Sequence, residues 1–458
     1  MIGSECSSQE VHVRFEHALE EAARFGVADQ LDRLREHLPT DWIEAALEWT
    51  GTASIRRRRL PAEQVVWLVI AMALFRNEPI ERIVDLLGLA LPDREGTPVA
   101  KSAVTQARQR LGDEPLAHLF STTAKTWAQR SADVNRWRGL AVYGWDGTTM
   151  YVPDSPENRA EFGGQKAGAG RGESGYPQVR VVAMMALRSH ILSAFRFAPY
   201  SHGEVTVARD LWLEMPESSL AIVDRNFLVK KDLIALERSG NRHWLTRTKS
   251  NTRWSVIERL GKDDFLVELE VHGTGLPKTW PLRAIRYKRR GHAVSTLLTS
   301  LVDAERYPAH EIIALYHERW ELELGYDEIK THLLERREAI RSRSPEGVRQ
   351  ELWGIALAYN LVRVEMERIA DEVDVPPTRI SFTASLAVIR EEIGRMGGDR
   401  FAPGTIPSRL QDLRRNLKRL LLPERRTERV FPRAVKIKMS SYPRKRPVKR
   451  RPTKKAAR

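Results

Sequence analysis

The chain has 458 residues, of which 42% are hydrophobic and 29% charged, enough for about two to four domains with real cores. Its 75 Lys and Arg exceed its 60 acids, and the net charge of +15 favours a polyanionic partner, most commonly nucleic acid, although ribosomal and membrane-surface proteins share this balance. A single cysteine excludes a disulfide framework and a cysteine-based zinc site, and the sequence shows neither a signal peptide nor an apolar run of about 20 residues, which predicts a cytoplasmic protein with no membrane segment.

The first 130 residues are predicted to form a helical N-terminal DNA-binding domain. Apolar residues recur every three or four positions between residues 9 and 50. Val65–Phe75 then supplies the buried face of a helix whose first turn contains Pro61. Four consecutive arginines precede this helix and are candidate DNA contacts: Arg56, Arg57, Arg58 and Arg59.

Two short helices around a turn follow, at Pro79–Leu89 and Ser102–Leu111. Ser102 is a candidate N-cap of the second helix, and Gly112 is a candidate C-terminal stop. Because the second helix carries Arg108 and Arg110, the pair resembles a helix-turn-helix that reads DNA. Helical pairs also occur widely without DNA binding, so a packing role stays open.

The pattern changes from helices to strands after Arg138, within a catalytic domain predicted over residues 136–365. Three strands, a helix, a strand, a helix and a strand favour a mixed α/β sheet. The segments are Leu140–Gly144, Val179–Leu187, Ile191–Ala198, Glu204–Leu213, Ser219–Val223, Val229–Ser239 and His243–Arg247. Such a sheet has its ligand crevice at strand ends, where Asp146 and Asp224 are predicted. Each also has a simpler interpretation, because Asp-Gly is a common turn and Asp a common helix cap.

A glycine-rich segment at Phe162–Gln178 separates the first two strands. It carries Lys166 and Arg171, and we interpret it as a mobile loop near DNA. Residues 249–300 form a second strand-rich block that the main sheet does not require, which indicates an insertion. Its predicted strands are Phe265–Val271, Thr279–Tyr287 and Ala293–Thr299.

The next segment is predicted to be a helix with four informative side chains: Tyr316, Arg319, Glu323 and Lys330. At about 100° per residue, their spacing places all four within about 60° on one helical face. A carboxylate there can hold a divalent cation, while the cations and the phenol bind phosphate oxygens. The alternative is a solvated helix in which Arg319 and Glu323 form a salt bridge one turn apart.

Two further helices are predicted at Pro345–Val373 and Ser381–Ile393. A helical C-terminal region over residues 366–430 includes a helix at Ser408–Leu422, and residues 431–458 form a basic tail. The tail is expected to be disordered without DNA. It either adds nonspecific DNA affinity or aids solubility.

We hypothesise that Asp146, Asp224 and Glu323 converge on one site. Their carboxylates are the hard oxygen ligands that Mg²⁺ prefers, and Mn²⁺ is a possible substitute. Together they could bind two such ions about 4 Å apart. One ion would activate a water or a 3′-hydroxyl, and the other would stabilise the leaving oxygen. No protein nucleophile is then needed.

These residues resemble the motifs of DDE transposases of the insertion-sequence-four type. The spacing Tyr-x2-Arg-x3-Glu-x6-Lys is present in full as Tyr316, Arg319, Glu323 and Lys330. Asp146-Gly147-Thr148-Thr149 and Asp224-Arg225-x-Phe227 resemble the family's first two acidic motifs, and Ile55–Phe75 resembles part of its N-terminal domain. The resemblance covers roughly residues 15–365.

The resemblance implies a ribonuclease-H-like core with a β-strand insertion before the glutamate helix, which residues 249–300 fit. It implies that Asp146, Asp224 and Glu323 are metal ligands. It also implies phosphate contacts near the cut, made by Tyr316, Arg319 and Lys330. In related enzymes excision passes through a DNA hairpin with a flipped base stacked on a tryptophan of the insertion. Trp254 and Trp280 are candidates, unless they pack in the insertion's own core.

The resemblance further implies an N-terminal domain that binds terminal inverted repeats and a homodimer on paired ends of double-stranded DNA, with no small-molecule substrate. The predicted function is therefore magnesium-dependent cleavage at transposon ends followed by strand transfer into target DNA. A nuclease or resolvase without strand transfer is one alternative. A domesticated DNA-binding protein is another, although the complete acidic triad argues against it.

Overall fold

The computed structural model describes residues 38–53, 60–89, 99–165, 175–289, 292–335, 340–398 and 421–422. Several predicted features lie outside the described residues and stay predictions: Arg56, Arg57, Arg58 and Arg59, Lys166 and Arg171, the segment 408–420, and the basic tail.

Five helices of the described chain precede the sheet: α1 (Thr40–Trp49), α2 (Ala62–Leu74), α3 (Ile80–Leu86), α4 (Lys101–Leu111) and α5 (Glu114–Val134). The apolar run Val65–Phe75 is buried throughout, as its composition predicted. The predicted N-cap of α4 was wrong, because this helix begins at Lys101 and leaves Ser102 exposed inside its first turn. Gly112 ends α4 at a φ of 67°, a conformation that glycine adopts without strain.

The core sheet begins with five strands: β1 (Ala141–Tyr151), β2 (Gln178–Ala186), β3 (Leu192–Pro199), β4 (Ser219–Val223) and β5 (Arg242–Arg247). β1 pairs antiparallel with β2, which pairs antiparallel with β3, whereas β1, β4 and β5 run parallel to one another. β4 lies between β1 and β5 and is wholly buried, which explains its unbroken run of small and apolar residues.

Short helices connect these strands: α6 (Pro156–Phe162), α7 (Glu204–Ala208), α8 (Leu211–Glu214) and α9 (Lys230–Arg238). One helix was predicted over Glu204–Leu213, but the chain forms two separate ones there. The mixed α/β class is confirmed, and the pattern of two antiparallel and two parallel pairings is the one expected of a ribonuclease-H-like core.

Four more strands follow: β6 (Ser255–Gly261), β7 (Asp264–Glu270), β8 (Thr279–Tyr287) and β9 (Ser295–Thr299). The described strands form one nine-stranded sheet in the order β3-β2-β1-β4-β5-β9-β8-β7-β6. The block predicted as an insertion therefore extends the core sheet, through antiparallel pairing of β5 with β9. β6 was not predicted, because this exposed edge strand buries too little to leave an apolar pattern.

The remaining helices are α10 (Ala309–Tyr316), α11 (Trp320–Asp327), α12 (Pro345–Glu372) and α13 (Phe382–Gly398). The sequence predicted an amphipathic helix for α12, but it is buried on nearly all sides between residues 348 and 370. The predicted domain boundary at residue 365 falls inside this continuous helix. Within the described ranges, no helix has both the length and the apolarity needed to cross a membrane.

Helix α12 lies very close to α2 at Gly354. A Cβ at this position would stand 2.7 Å from Val69 Cγ1 and 2.9 Å from the Val69 carbonyl oxygen. A rotamer change cannot relieve a clash with backbone, so Gly354→Ala should lower the free energy of unfolding by about 1–3 kcal/mol. Thermal unfolding measures this, with Gly203→Ala as the control because its Cβ would meet only Thr206 Oγ1 at 3.9 Å. Equal melting temperatures of the two variants would contradict the close helix contact.

Candidate active site

Asp146 and Asp224 lie side by side on neighbouring parallel strands. The parallel register of β1 and β4 ends at Trp145 and Val223, and each aspartate is the next residue. Neighbouring strands are about 4.8 Å apart, so the two backbones are adjacent at this edge of the register. The prediction that β1 ends at Asp146 was wrong, because β1 continues to Tyr151 against β2. What ends just before Asp146 is the pairing with β4.

Asp224 also acts as a cap. Its Oδ2 accepts a hydrogen bond of 3.2 Å from the amide of Asn226, at the start of the 3₁₀ turn Arg225–Phe227. The capping interpretation of Asp224 is thus correct, and it is compatible with a role in the site. The second carboxylate oxygen does not take part in that bond.

The segment from Tyr316 to Lys330 is not the uniform α-helix that the sequence predicted. α10 ends at Tyr316, a 3₁₀ turn covers His317–Arg319, α11 follows, and Glu328–Leu333 is π-helical. Angles for an ideal α-helix therefore do not hold across the segment. π-Helical insertions are frequent at functional sites, and Lys330 lies half-buried inside this one.

Arg319 connects the first and third acids of the predicted triad. Its Nη2 donates to Glu323 Oε1 at 2.8 Å, and its Nη1 lies 4.0 Å from Asp146 Oδ2. Glu323 and Asp146 are thus both within reach of a single guanidinium group, although 177 positions separate them in the chain. The predicted salt bridge of Arg319 with Glu323, one helical turn apart, is present, and Arg319 also approaches Asp146 on β1.

The electrostatic environment of Asp146 disfavours its negative charge. Burial raises the pKa of this carboxyl to about 6, and repulsion from Glu204 and Asp224 adds to the rise, against the opposing effects of the Gly147 amide and Arg319. Burial acts to lower the pKa of Arg319, but the neighbouring Tyr316, Glu323 and Asp146 raise it, so the guanidinium stays charged. Sequence analysis missed Glu204, which packs on Gly147 from α7.

The donor set of this site fits a divalent cation by its chemistry. Within the described part of the chain, no three Asp, Glu, His or Cys side chains are grouped closely enough to enclose a metal ion as they stand. Three carboxylates nevertheless face the same region, and Asp146 is held there against desolvation and like-charge repulsion. A cation would offset both effects, which is why carboxylates crowd in metal sites.

A cleft of about 220 Å³ opens beside Asp224. Its walls come from β5, the β8–β9 hairpin and the start of the segment from Tyr316 to Lys330, called the signature segment below. These walls are rich in cationic and aromatic groups. The lining includes Arg247, Tyr287, Arg289, His292, Ser295, Tyr316, His317, Arg319 and Trp320. Tyr316 is buried in its wall, whereas Trp320 is 47% exposed. Guanidinium groups bind phosphate in two-point fashion, so the cleft suits a nucleic-acid backbone.

Sequence analysis did not identify four residues of this cleft: Arg247, Arg289, His292 and Trp320. Trp320 lies in the predicted helix, directly after Arg319, so the sequence alone could have indicated it as a site residue. Arg247 comes from β5, whereas Arg289 and His292 come from the turn between β8 and β9, and the pairing of β5 with β9 brings this turn to the site. A larger cavity of about 800 Å³ between α5 and α12 is lined by none of the predicted residues.

The two arginines predicted to contact DNA from α4 differ in their surroundings. Arg108 is bonded within the protein, because its Nε donates to Gln350 Oε1 at 2.8 Å and its Nη2 to Ser342 Oγ at 3.1 Å. Its role in reading DNA stays a prediction. Arg110, on the same helix, is exposed, and the helix-turn-helix stays a prediction.

The two tryptophans proposed for base stacking are both packed against the core. Trp280 is 3% exposed, donates from Nε1 to Glu237 Oε2 at 3.0 Å and packs on Trp244. The alternative interpretation, packing within the insertion, fits Trp280, since no base can reach its ring faces. Trp254 is partly buried and keeps some exposed surface.

A buried ionic network holds other side chains of the signature segment. Arg363 of α12 donates from Nε to Glu328 Oε2 at 3.1 Å, and the Tyr359 hydroxyl donates to the same oxygen at 2.8 Å. His190, in the turn between β2 and β3, contacts Glu321 at 2.8 Å. The residues on both sides of Glu323 are thus fixed to the protein interior.

Comparison with known proteins identifies similar sequences along most of the chain. Residues 28–121 match the family model "Insertion element 4 transposase N-terminal", and residues 140–361 match "Transposase DDE domain". The transposase InsG for insertion sequence element IS4 of Escherichia coli K12 is 38% identical over 93% of this chain and 97% of its own length. The putative transposase InsZ of the same strain is 38% identical over 49% of this chain and 73% of its own. Among solved structures, the piggyBac transposase synaptic complex with hairpin DNA has a TM-score of 0.43 at 11% identity, covering 87% of this chain and 86% of that one.

Proposed function

The chain belongs to the insertion element 4 family of DDE transposases, and from this premise we propose that it cuts double-stranded DNA at terminal inverted repeats and joins the freed ends to target DNA. One observation carries the proposal. A single guanidinium, that of Arg319, contacts Glu323 and approaches Asp146, while Asp146 and Asp224 each follow the last paired residue of β1 and β4. Two acids of the motif thus lie where this pairing ends, and the third approaches them from α11.

In this proposal Asp146, Asp224 and Glu323 would hold the divalent cation, Mg²⁺ or Mn²⁺, which when bound supplies Lewis-acid activation at the scissile phosphate. The chain's own residues orient the DNA. Arg319 and Tyr316 line the cleft together with Asp224, so they would bind the phosphate next to the cut. Burial raises the pKa of Tyr316, so its phenol stays protonated and donates to a phosphate oxygen.

The DNA backbone continues along the cationic walls of the cleft, where Arg247 and Arg289 neutralise its charge. Lys330 provides a further phosphate contact. Trp320 offers an exposed ring on which a base can stack, and Trp254 is a second candidate.

The N-terminal region would bind the inverted repeats, with Arg56, Arg57, Arg58, Arg59 and Arg110 as contacts. Lys166 and Arg171 would approach the DNA from the glycine-rich segment. We propose a homodimer on paired ends, as the family resemblance implies, and a cytoplasmic protein, because its substrate is bacterial DNA. Mass photometry of the protein with and without end DNA tests the dimer.

A cleavage and joining assay tests the function as a whole. The full chain is incubated with Mg²⁺ or Mn²⁺, a labelled duplex carrying the inverted repeats that flank the reading frame, and a target plasmid. We expect 3′-hydroxyl ends and then labelled plasmid. Cutting without joining would identify a nuclease or resolvase instead. Binding without metal-dependent cutting would identify a DNA-binding protein and refute the proposal.

Removing one of the cations proposed to contact DNA should weaken DNA binding in a salt-dependent way. For Arg289→Ala and Lys330→Ala we expect the slope of log affinity against log salt concentration to fall by about one, because one fewer counterion is released. Fluorescence anisotropy between low and moderate salt measures it. The matched control is Arg259→Ala, on the exposed edge strand β6 and outside the cleft. An unchanged slope for Arg289→Ala would contradict the proposal that DNA binds along the cleft.

A further inference from the structure

The hydroxyl of Tyr326 bridges two paired strands at the first acid of the site. Asp146 of β1 and Ala183 of β2 face each other in the antiparallel register. The amide of Ala183 donates to the Tyr326 hydroxyl at 3.0 Å, and this hydroxyl donates to the carbonyl oxygen of Asp146 at 2.5 Å. A side chain from a helix thus connects two backbone groups that face each other across the sheet.

Tyr326 belongs to α11 and follows Glu323 by three residues. The side chain is 8% exposed, and burial raises the pKa of Tyr326 far above its ordinary value, so the hydroxyl remains a donor. One end of this residue is attached to the helix of the third acid. The other end is bonded to the backbone of the first acid.

Close packing leaves α11 little freedom to move away from the sheet. A Cβ at Gly325 would lie 2.3 Å from Met185 Cε on β2, and a Cβ at Gly144 of β1 would lie 3.0 Å from Leu322 Cδ1. The helix therefore approaches both strands as closely as glycine allows. From this helix the Tyr326 side chain reaches the backbone of both strands, at Asp146 and Ala183.

We propose that Tyr326 is a positioning residue for transposition, whose hydroxyl holds β1 and β2 at the separation that sets Asp146 opposite Glu323. This inference rests on the proposed roles of those two acids. A direct N–H···O=C bond between strands spans about 2.9 Å, whereas the bridged path contains two successive hydrogen bonds. The bridging hydroxyl therefore contributes to the spacing of the two strands at Asp146.

Tyr326→Phe removes only the bridging oxygen. The amide of Ala183 and the carbonyl of Asp146 must then pair directly, which draws β1 toward β2, or stay without a partner. Direct pairing displaces Asp146 relative to Glu323, and the loss of both bonds frees the Asp146 backbone from the helix that carries Glu323. Because misplacement by about 1 Å costs reactions about 100-fold, we expect cleavage to slow about 10- to 100-fold while binding to end DNA is unchanged. The Mn²⁺ concentration for half-maximal rate should rise several-fold.

The control is Thr299→Val, which removes another buried hydroxyl of the same sheet. Thr299 Oγ1 donates to the carbonyl oxygen of Trp244 at 2.7 Å, away from both acids. Both variants should lose a similar, small amount of thermal stability, but only Tyr326→Phe should lose cleavage rate. Equal loss of cleavage in the two variants, or full activity of Tyr326→Phe, would overturn the proposal.

Two measurements do not depend on cleavage. Mn²⁺ binding to the full chain, followed by electron paramagnetic resonance, should weaken several-fold in Tyr326→Phe and not in Thr299→Val. In the unaltered protein, hydrogen exchange should show the Ala183 amide protected as strongly as its strand neighbours, and fast exchange there would refute the bridge itself. If the unaltered protein binds Mn²⁺ but cleaves no DNA, the proposed function fails. If Tyr326→Phe binds Mn²⁺ as well as the unaltered protein does, the positioning role fails.

Discussion

Glu323→Gln should abolish DNA cleavage, lowering the rate about 10³-fold or more, while binding to transposon ends stays within about twofold. A metal site contributes several kcal/mol to phosphoryl transfer, and each 1.4 kcal/mol changes a rate about tenfold. Glutamine keeps the shape of the side chain and can still accept from Arg319, so the loss would come from the missing charge. Asp146→Asn and Asp224→Asn should behave in the same way.

The matched control is Glu318→Gln. Glu318 lies on the same segment as Glu323, five residues earlier, and its carboxylate pairs with Arg188 at 2.9 Å. This variant should cleave at nearly the normal rate. Gel analysis of labelled end DNA measures both. A Glu323→Gln protein that still cut within tenfold of the normal rate would exclude this residue from the triad.

Arg363→Met should destabilise the whole protein by about 3–5 kcal/mol, because it leaves the Glu328 carboxylate buried without its partner. Arg363 is 1% exposed and binds Glu328, Tyr359 and His190 at once. Arg349→Met is the control on the same helix. Arg349 is about one third exposed, and its pairs with Glu161 and Asp113 should contribute at most about 1 kcal/mol. Thermal unfolding compares the two.

The pH dependence of this effect has a definite sign. Burial alone would raise the pKa of Glu328, but Arg363 and His190 lower it to about 2. A lowered folded-state pKa gives stability that is present above about pH 4.5 and is lost as the pH falls toward 2. In Arg363→Met the carboxyl is no longer held ionised, so its stability deficit should shrink over the same range. A deficit independent of pH would mean that the guanidinium acts only by packing.

The sequence was most informative where structure is local. β4 and β8 were predicted to the residue, and the run Val65–Phe75 identified a buried helix, because apolar patterning and turn residues act over short distances. The three acids could be identified because each lies in a short sequence motif that is read without knowledge of the fold. Their proximity depends on the register of β1 with β4, which no local pattern encodes.

The sequence was least informative where a distant residue is the partner of a side chain. Arg108 was predicted to contact DNA, and no local pattern shows that its guanidinium donates to Gln350 and Ser342, more than 230 positions away. The π-helical turn at Glu328–Leu333 coincides with the anchoring of Glu328 to α12, and a propensity pattern cannot foresee it. Tyr326 was passed over because an aromatic residue on a helix ordinarily indicates packing alone.

Helix α12 packs in the middle of the molecule, where it touches both the N-terminal helices and the sheet. The ring centroid of Trp353 lies within 6 Å of those of Phe120 on α5 and Phe195 on β3. The adjacent Gly354 packs against Val69 of α2. A chimaera that borrows its end-recognition region from another member of the family would therefore inherit mismatched side chains along this helix. New target ends would have to be introduced by surface substitutions in the native chain, and not by exchanging modules.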